Sequence, residues 1–336
     1  MQALCRGWAP TQLRGLRHSA SHRLFHHSPL YERISCARTL RVGRTSLTRA
    51  PAGPPQGHGP PVAKAVGFVA GASLLAYATT SWWSVTYTEH VAERASSVLS
   101  FSMLFGSRSS LTWAARDDQA ERLHHGFDWL SSMLQYLPTS VRDALLRAYI
   151  SASRAYLALP EYQQPVIPLL AIEVGVLGAW LLAPRLGTTR WMMRYFTHRP
   201  ASGRVLTLFT SALSHRSLAH FALNNLALWS VGSGALLALS DSGIPEASSL
   251  PHFLAFFASA GMFASLASHL VLAARWRMVR TRLSKTLLRR RASLGASGAI
   301  YAAFALSACV MPQVHVSLLF LPMVTIPIQW GFGGYV

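Results

Sequence analysis

Acidic residues are scarce. Twelve Asp+Glu stand against 31 Lys+Arg in 336 residues, leaving a formal net charge of +19. Charge of either sign is also scarce, at 13% of the chain against 51% apolar residues, about half the usual share. That combination excludes a disordered or collagen-like chain and argues against a soluble globular one. Cysteine is nearly absent. Cys5, Cys36 and Cys309 are too few for a disulfide framework and wrongly spaced for a structural zinc site. The N-terminus lacks the apolar run of a secretory signal.

What is present is positive charge in blocks between long apolar runs, the distribution of a polytopic membrane protein. Residues 1–64 hold nine Arg and one Lys, and Glu32 is their only acid. An Arg-rich, Ser-containing, acid-poor start reads as a mitochondrial transit peptide. A plain basic tail is the simpler alternative. Nucleic-acid binding is disfavoured, because no aromatic platform or fold motif accompanies the charge. The Pro/Gly stretch 51–61 is a linker and marks a boundary.

About 20 apolar residues cross a bilayer. The sequence predicts spans at 65–83, 166–183, 217–238, 252–274 and 294–311, with a sixth starting near Pro327. Residues 84–165 carry eight acids and seven arginines, and 239–251 carry only Asp241 and Glu246. Residues 184–216 carry six arginines and no acid, and 275–291 carry eight bases and no acid. Basic segments thus alternate with neutral or acidic ones, which places the N-terminus and both basic loops on one side. The positive-inside rule makes that side the matrix face of an inner membrane. The basic loops orient helices and bind no nucleic acid in this reading. Residues 84–165 predict two helices, 120–137 and 141–157, broken at Pro138. His124 and His125 point about 100° apart on a helix and make a poor metal pair.

Polar groups at bilayer depth are functional candidates by default. Gly295, Ala296, Ser297 and Gly298 open the 294–311 span. A serine at a helix start has room around its hydroxyl and free N–H groups beside it, which suits a nucleophile with an oxyanion site. Helix packing explains the same residues, with Gly298, Ala302, Ala305 and Cys309 as a small-residue stripe. His215, His220, Asn224 and Asn225 mark the entrance to the 217–238 span. His220 and Asn224 are four apart, on one helix face, and offer donors to one spot. An interhelical hydrogen-bond pair is the structural alternative. Asn225 reads as a packing or lipid-edge residue, and His215 as a brace for the loop. Glu173 is the only charge within a span and has no obvious partner. It reads as an ion near a helix end or one paired with a neighbouring helix. Without an internal repeat, a transporter is weakly supported.

Together, His-x4-His-x3-Asn at 215–224 and Gly-x-Ser-Gly at 295–298 resemble the signature of the rhomboid intramembrane serine proteases. Arg194, Tyr195, Phe196, Thr197, Pro200, Ala201 and Ser202 bring the resemblance closer to the mitochondrial presenilins-associated rhomboid-like branch and its fungal counterparts. So do the stretches around Ser293–Ile300, Phe320–Pro322 and Pro327–Gly331, and the extra span ahead of a six-helix core. The resemblance covers roughly 165–336. It implies an all-α polytopic membrane protein, a rhomboid-like bundle with one extra N-terminal span. It implies Ser297 as nucleophile, with Asn224, His220 and the Ser297 N–H holding the oxyanion. His215, Gly295 and Gly298 would be structural. Substrates would be transmembrane segments of other proteins within the lipid bilayer, and neither metal nor cofactor is needed.

One part of the family pattern is missing. Its catalytic base is a histidine in a later helix, in a pattern like Ala-His-x-Gly-Gly, and this sequence ends at Val336 without it. His315 lies 18 residues past Ser297, about 27 Å along a helix. His269 is on the correct side, but nothing aims it at Ser297. Losing the base costs on the order of 10⁶ in kcat in soluble serine proteases, so the 336 residues alone predict a very poor protease. Polar groups left facing lipid also predict poor folding. The expectation is therefore a shortened version of a longer chain, from an incomplete gene model or retained intron. A non-catalytic protein binding transmembrane clients is the other reading.

Overall fold

The computed structural model describes residues 59–98, 108–240, 246–279, 281–318 and 321–330. These belong to the compact unit Gly57–Val336; the other unit, Met1–Gln56, lies outside the described residues. So does almost all of the expected transit segment.

The described chain is mainly helical. Three helices are long and apolar enough to cross a membrane, over Val62–Arg94, Val166–Leu186 and Leu250–Met278, and Ser297–Val310 is a shorter apolar helix. The first helix, α1 (Val62–Val98), has 37 residues, about 55 Å of rise against a hydrocarbon core of about 30 Å. The expected span 65–83 is therefore only part of it. Past that point the helix becomes amphipathic and meets α2 (Arg108–Met133). Asp118 joins the two. It accepts from Tyr87 Oη at 2.9 Å, from Arg94 at 3.2 Å and from Arg122 Nε at 2.8 Å. A 3-10 turn, Leu134–Tyr136, and Pro138 at the cap of α3 (Thr139–Ala158) make the predicted break.

Next come α4 (Val166–Leu186) and α5 (Thr189–Tyr195), separated by Gly187 in the left-handed region at φ 69°. The Thr188 N–H reaches back to the Ala183 carbonyl at 3.0 Å, a glycine-type C-cap. The loop to the next long element holds α6 (Thr207–Thr210). The 217–238 region forms α7 (Leu218–Ala227) and α8 (Ser233–Ser240), joined by a π-helical turn over Leu228–Gly232. A Cβ at Gly232 would lie 3.2 Å from Leu228 and 3.3 Å from Phe253, so the wide turn is packed closely against its neighbour.

Helix α9 (Leu250–Met278) is central. It packs along α1 and against α6 and α11 (Ser297–Val310), while the basic α10 (Arg282–Arg290) connects α9 to α11. Val166, Leu169, Leu228, Phe253, Phe257, Ala299 and Ile300 form one core. Ala65, Val69, Leu208, Met262 and Leu266 hold α1 against α9. The extra N-terminal helix is thus built into the bundle.

Small residues set the α9–α11 approach. Gly298 packs directly on Ala264, and Gly261 faces Ala299. The packing stripe differs from the expected one. Ala299, Ala303 and Ser307 are buried, whereas Cys309 is exposed. Helix α11 is wedged between α9 and α8, so its buried face is rotated from the one read off the sequence.

Ahead of Pro327 the chain forms a β-hairpin, and the sixth span expected from Pro327 onward lies mostly outside the described residues. His315–Leu318 (β1) and Leu321–Pro327 (β2) pair antiparallel, with His315 opposite Pro327 and Val316 opposite Ile326. Val314, Val316, Thr325 and Ile326 are β-branched, and Pro322 and Pro327 oppose a continuous helix. Phe320 and Gly331, used in the resemblance, lie outside the described residues.

Candidate active site

Ser217 caps α7 by accepting the His220 N–H at 3.2 Å, the favoured chemistry at that position. This fixes His220 in the first turn and Asn224 one turn further on. Asn224 is buried, and its amide donates to the His220 carbonyl at 2.9 Å. One of its two amide hydrogens is thereby committed within the helix, and the other remains for a ligand.

The second half of the site is the turn before α11. Three contacts tie it down. Ser293 and His198 exchange backbone hydrogen bonds at 3.0 and 2.9 Å. The Gly295 N–H donates to the Ser211 carbonyl at 2.8 Å. The Ala296 N–H donates to His215 Nε2 at 3.4 Å. Gly295 has φ 122°, a conformation that a side chain resists. A Cβ there would also stand 2.7 Å from His220 Cε1 and 3.0 Å from Nε2. The His220 ring therefore lies directly on the turn, two residues ahead of Ser297.

Ser297 is exposed at the head of α11. Among the described residues its hydroxyl makes no hydrogen bond, and no backbone acceptor takes its N–H. First-turn N–H groups have no intrahelical partner, so this donor is open to a ligand. Gly298 faces away, into the α9 contact.

Beneath the turn lies a polar layer that the sequence did not reveal. His215 is fully buried, with its ring 5.1 Å from that of His220. Burial first, and the His220 ring second, push it down to about 4, so it is neutral near pH 7. Because Nε2 accepts from Ala296, Nδ1 carries the proton, and it points toward Glu173 Oε2 at 3.8 Å. That distance is too long for a hydrogen bond. Glu173 has a partner on a neighbouring helix, one of the two alternatives read from the sequence. It is fully buried and accepts from Asn225 Nδ2 at 2.9 Å. Asn225 is accordingly neither a lipid-edge nor a simple packing residue. The only sequence signal was Glu173 itself, the single charge in a span. Trp180 Nε1 donates to Ser214 Oγ at 2.7 Å and anchors the same loop to α4.

The remaining histidines lie elsewhere. His269 Nδ1 meets His198 Nε2 at 3.1 Å, and His198 Nδ1 meets Thr207 Oγ1 at 2.9 Å. His315 sits on β1, beyond the far end of α11. Among the described residues no group of three or more His, Cys, Asp or Glu could hold a metal ion.

Burial, with the His269 ring beside it, also pushes His198 down to about 4. Both His198 and His215 bind a proton more readily unfolded than folded. Their stabilising effect is full above pH 6.5, the ordinary histidine value, and is lost as pH falls toward 4. The expected loss is on the order of 1 kcal/mol per pH unit for each group. Thermal unfolding in detergent between pH 7.5 and 5 measures it (roughly the window set by these shifts). The slope should flatten in His198→Gln. A melting temperature unchanged across that range would refute the assignment.

Residues 202–333 match the Rhomboid domain family. Curated relatives include the "Presenilin-associated rhomboid-like protein, mitochondrial" of Bos taurus and of Homo sapiens. Each is 28% identical over 224 residues, 66% of this chain and 51% of the relative. The "Presenilin-associated rhomboid-like protein A, mitochondrial" of Danio rerio is 27% identical over 168 residues, 50% of this chain and 38% of the relative. The chain spans about half the length of the curated relatives it matches. No solved structure matches it significantly. The matched region contains the His215–Asn224 and Gly295–Gly298 motifs and the helices that carry them, so residues 202–333 are similar to the Rhomboid domain, and the chain is similar to the mitochondrial presenilin-associated rhomboid-like proteins.

Proposed function

We propose that this chain is an intramembrane serine endopeptidase of the mitochondrial inner membrane, acting on transmembrane segments of other proteins. The observation that carries the reading is the His220 ring lying on Gly295, two residues before an exposed Ser297 with an open N–H. In this reading Ser297 Oγ attacks the scissile carbonyl. The oxyanion that develops is held by the Ser297 N–H, His220 and the free amide hydrogen of Asn224. Such preorganised donors are worth about 3–4 kcal/mol each in other hydrolases. Glu173, Asn225 and His215 hold the turn in place and do not touch the substrate.

The proton acceptor is a separate matter. Among the described residues no imidazole hydrogen-bonds to Ser297. The family's Ala-His-x-Gly-Gly pattern does not occur in these 336 residues. We assign the base to such a histidine on additional chain. The relatives' names support the mitochondrial location, and the charge alternation supports a matrix-facing N-terminus.

A fluorophosphonate probe tests the reading. In a version of the protein carrying that histidine, the probe should label wild type and not Ser297→Ala. Absence of labelling in a folded preparation would sink it. The unpartnered Ser297 favours one other reading for the 336 residues by themselves: a membrane protein that binds transmembrane clients without cutting them. Client co-purification unaffected by Ser297→Ala, with no cleavage, would support that alternative.

A further inference from the structure

Helix α5 and the loop between α5 and α6 line a second site at the surface, unrelated to Ser297. A cavity of about 380 Å³ is lined by Arg190, Arg194, Arg199 and Arg204, with Thr189 and Thr197. No carboxylate lines it among the described residues, and residues 184–216 contain none. Arg190, Arg194 and Arg204 are exposed and Arg199 is half-buried, so the space is a surface pocket of one charge sign. Two further observations point to a ligand. Among the described residues the Nε of Arg199 is buried without a hydrogen-bond partner, and so is the hydroxyl of Thr197. Thr197 is only 4% exposed. A buried donor left unmatched is destabilising, so both groups call for an acceptor inside the cavity.

We propose that this cavity binds a phosphate group, carried by an anionic phospholipid headgroup or present as free phosphate. The chemistry selects it. Guanidinium groups match phosphate oxygens in a planar fork, and several oxygens on one phosphorus can accept from Arg199 and Thr197 together. A single negative charge density at the centre also removes the repulsion among the four arginines. Ser202 does not compete for the ligand, because its hydroxyl already donates to the Arg199 carbonyl at 2.7 Å. The neighbouring Trp191 is 53% exposed, the usual residue of a membrane interface. A headgroup at that depth would reach the cavity from the bilayer side. This inference does not depend on hydrolysis at Ser297, and it survives if the proteolytic reading fails.

The test uses the whole chain purified in a non-ionic detergent. Inorganic phosphate, short-chain phosphatidylglycerol and short-chain phosphatidylcholine are titrated separately, and the Kd is read from the shift in thermal unfolding. Saturable binding of phosphate is expected. A lower Kd for phosphatidylglycerol assigns the site to lipid, and equal values assign it to free phosphate. Arg199→Gln with Arg204→Gln should raise Kd on the order of twentyfold, about fivefold for each arginine. Thr197→Val keeps the charge and should raise it about fivefold. It also serves if the double variant fails to fold. Arg289→Gln with Arg290→Gln on α10 removes the same charge at exposed positions and should leave Kd unchanged. Equal weakening by both arginine pairs, no effect of Thr197→Val, or no saturable binding by any of the three probes would overturn the proposal.

Discussion

Replacing Gly295 by alanine is expected to disrupt the candidate site through both the backbone and a neighbouring ring. Two effects act together. The backbone sits at φ 122°, and the added Cβ would stand 2.7 Å from the His220 ring. The ring also packs edge-on against His215, which is fully buried. The strained backbone and the clash should cost about 2–4 kcal/mol of stability. If the proposed function holds, a displacement of about 1 Å at the proposed oxyanion donors slows Ser297 labelling about 100-fold in the version carrying the histidine base. Thermal unfolding and the rate of Ser297 labelling measure the two quantities. The specific partner is tested by the double variant Gly295→Ala with His220→Ala. Removing the ring should recover about 1 kcal/mol beyond additivity. Strict additivity would show that the ring does not rest on the turn.

The second large effect is expected at the buried Glu173–Asn225 pair. Asn225→Leu should destabilise the bundle by about 3 kcal/mol, since a fully buried carboxyl group loses its donor. Glu173 Oε1 already lacks a hydrogen-bond partner among the described residues, so no second donor covers the loss. Glu173→Gln should cost less, because an amide oxygen can still accept from Asn225. Changing both residues to leucine should cost less than Asn225→Leu alone, as expected when both polar partners leave together. Denaturant or thermal unfolding of the four proteins in one detergent decides the matter. If Asn225→Leu proves as mild as a surface change, the polar layer under the turn is not holding the site.

Not every residue of this site was equally legible. His220 and Asn224 were, because a spacing of four on a helix is a local geometric fact. Gly295 and Ser297 were, because a glycine beside a serine at a helix start is also local. Residues 120–157 were readable for the same reason, through Pro138. Other elements escaped. The polar layer joins Glu173 to Asn225 across 52 positions, and no periodicity connects them. Asn225 read as peripheral because its helix face could be judged only relative to His220, without knowing that α4 stands there. The buried face of α11 was misjudged because two neighbours grip it, where one had been assumed. The hairpin over His315–Pro327 also went unread, because its pairing joins residues up to 12 positions apart.

The division reflects the range of the forces. Charge blocks, apolar run lengths and short motifs are properties of neighbouring residues, so the chain alone determined its membrane character, the concentration of positive charge in alternate loops and the serine and histidine to examine. Burial and hydrogen-bond partnership depend on which helices meet. Only the tertiary structure could decide that Gly295 carries the His220 ring, that Asn225 donates to Glu173, and that four arginines of α5 and the loop after it line a common space.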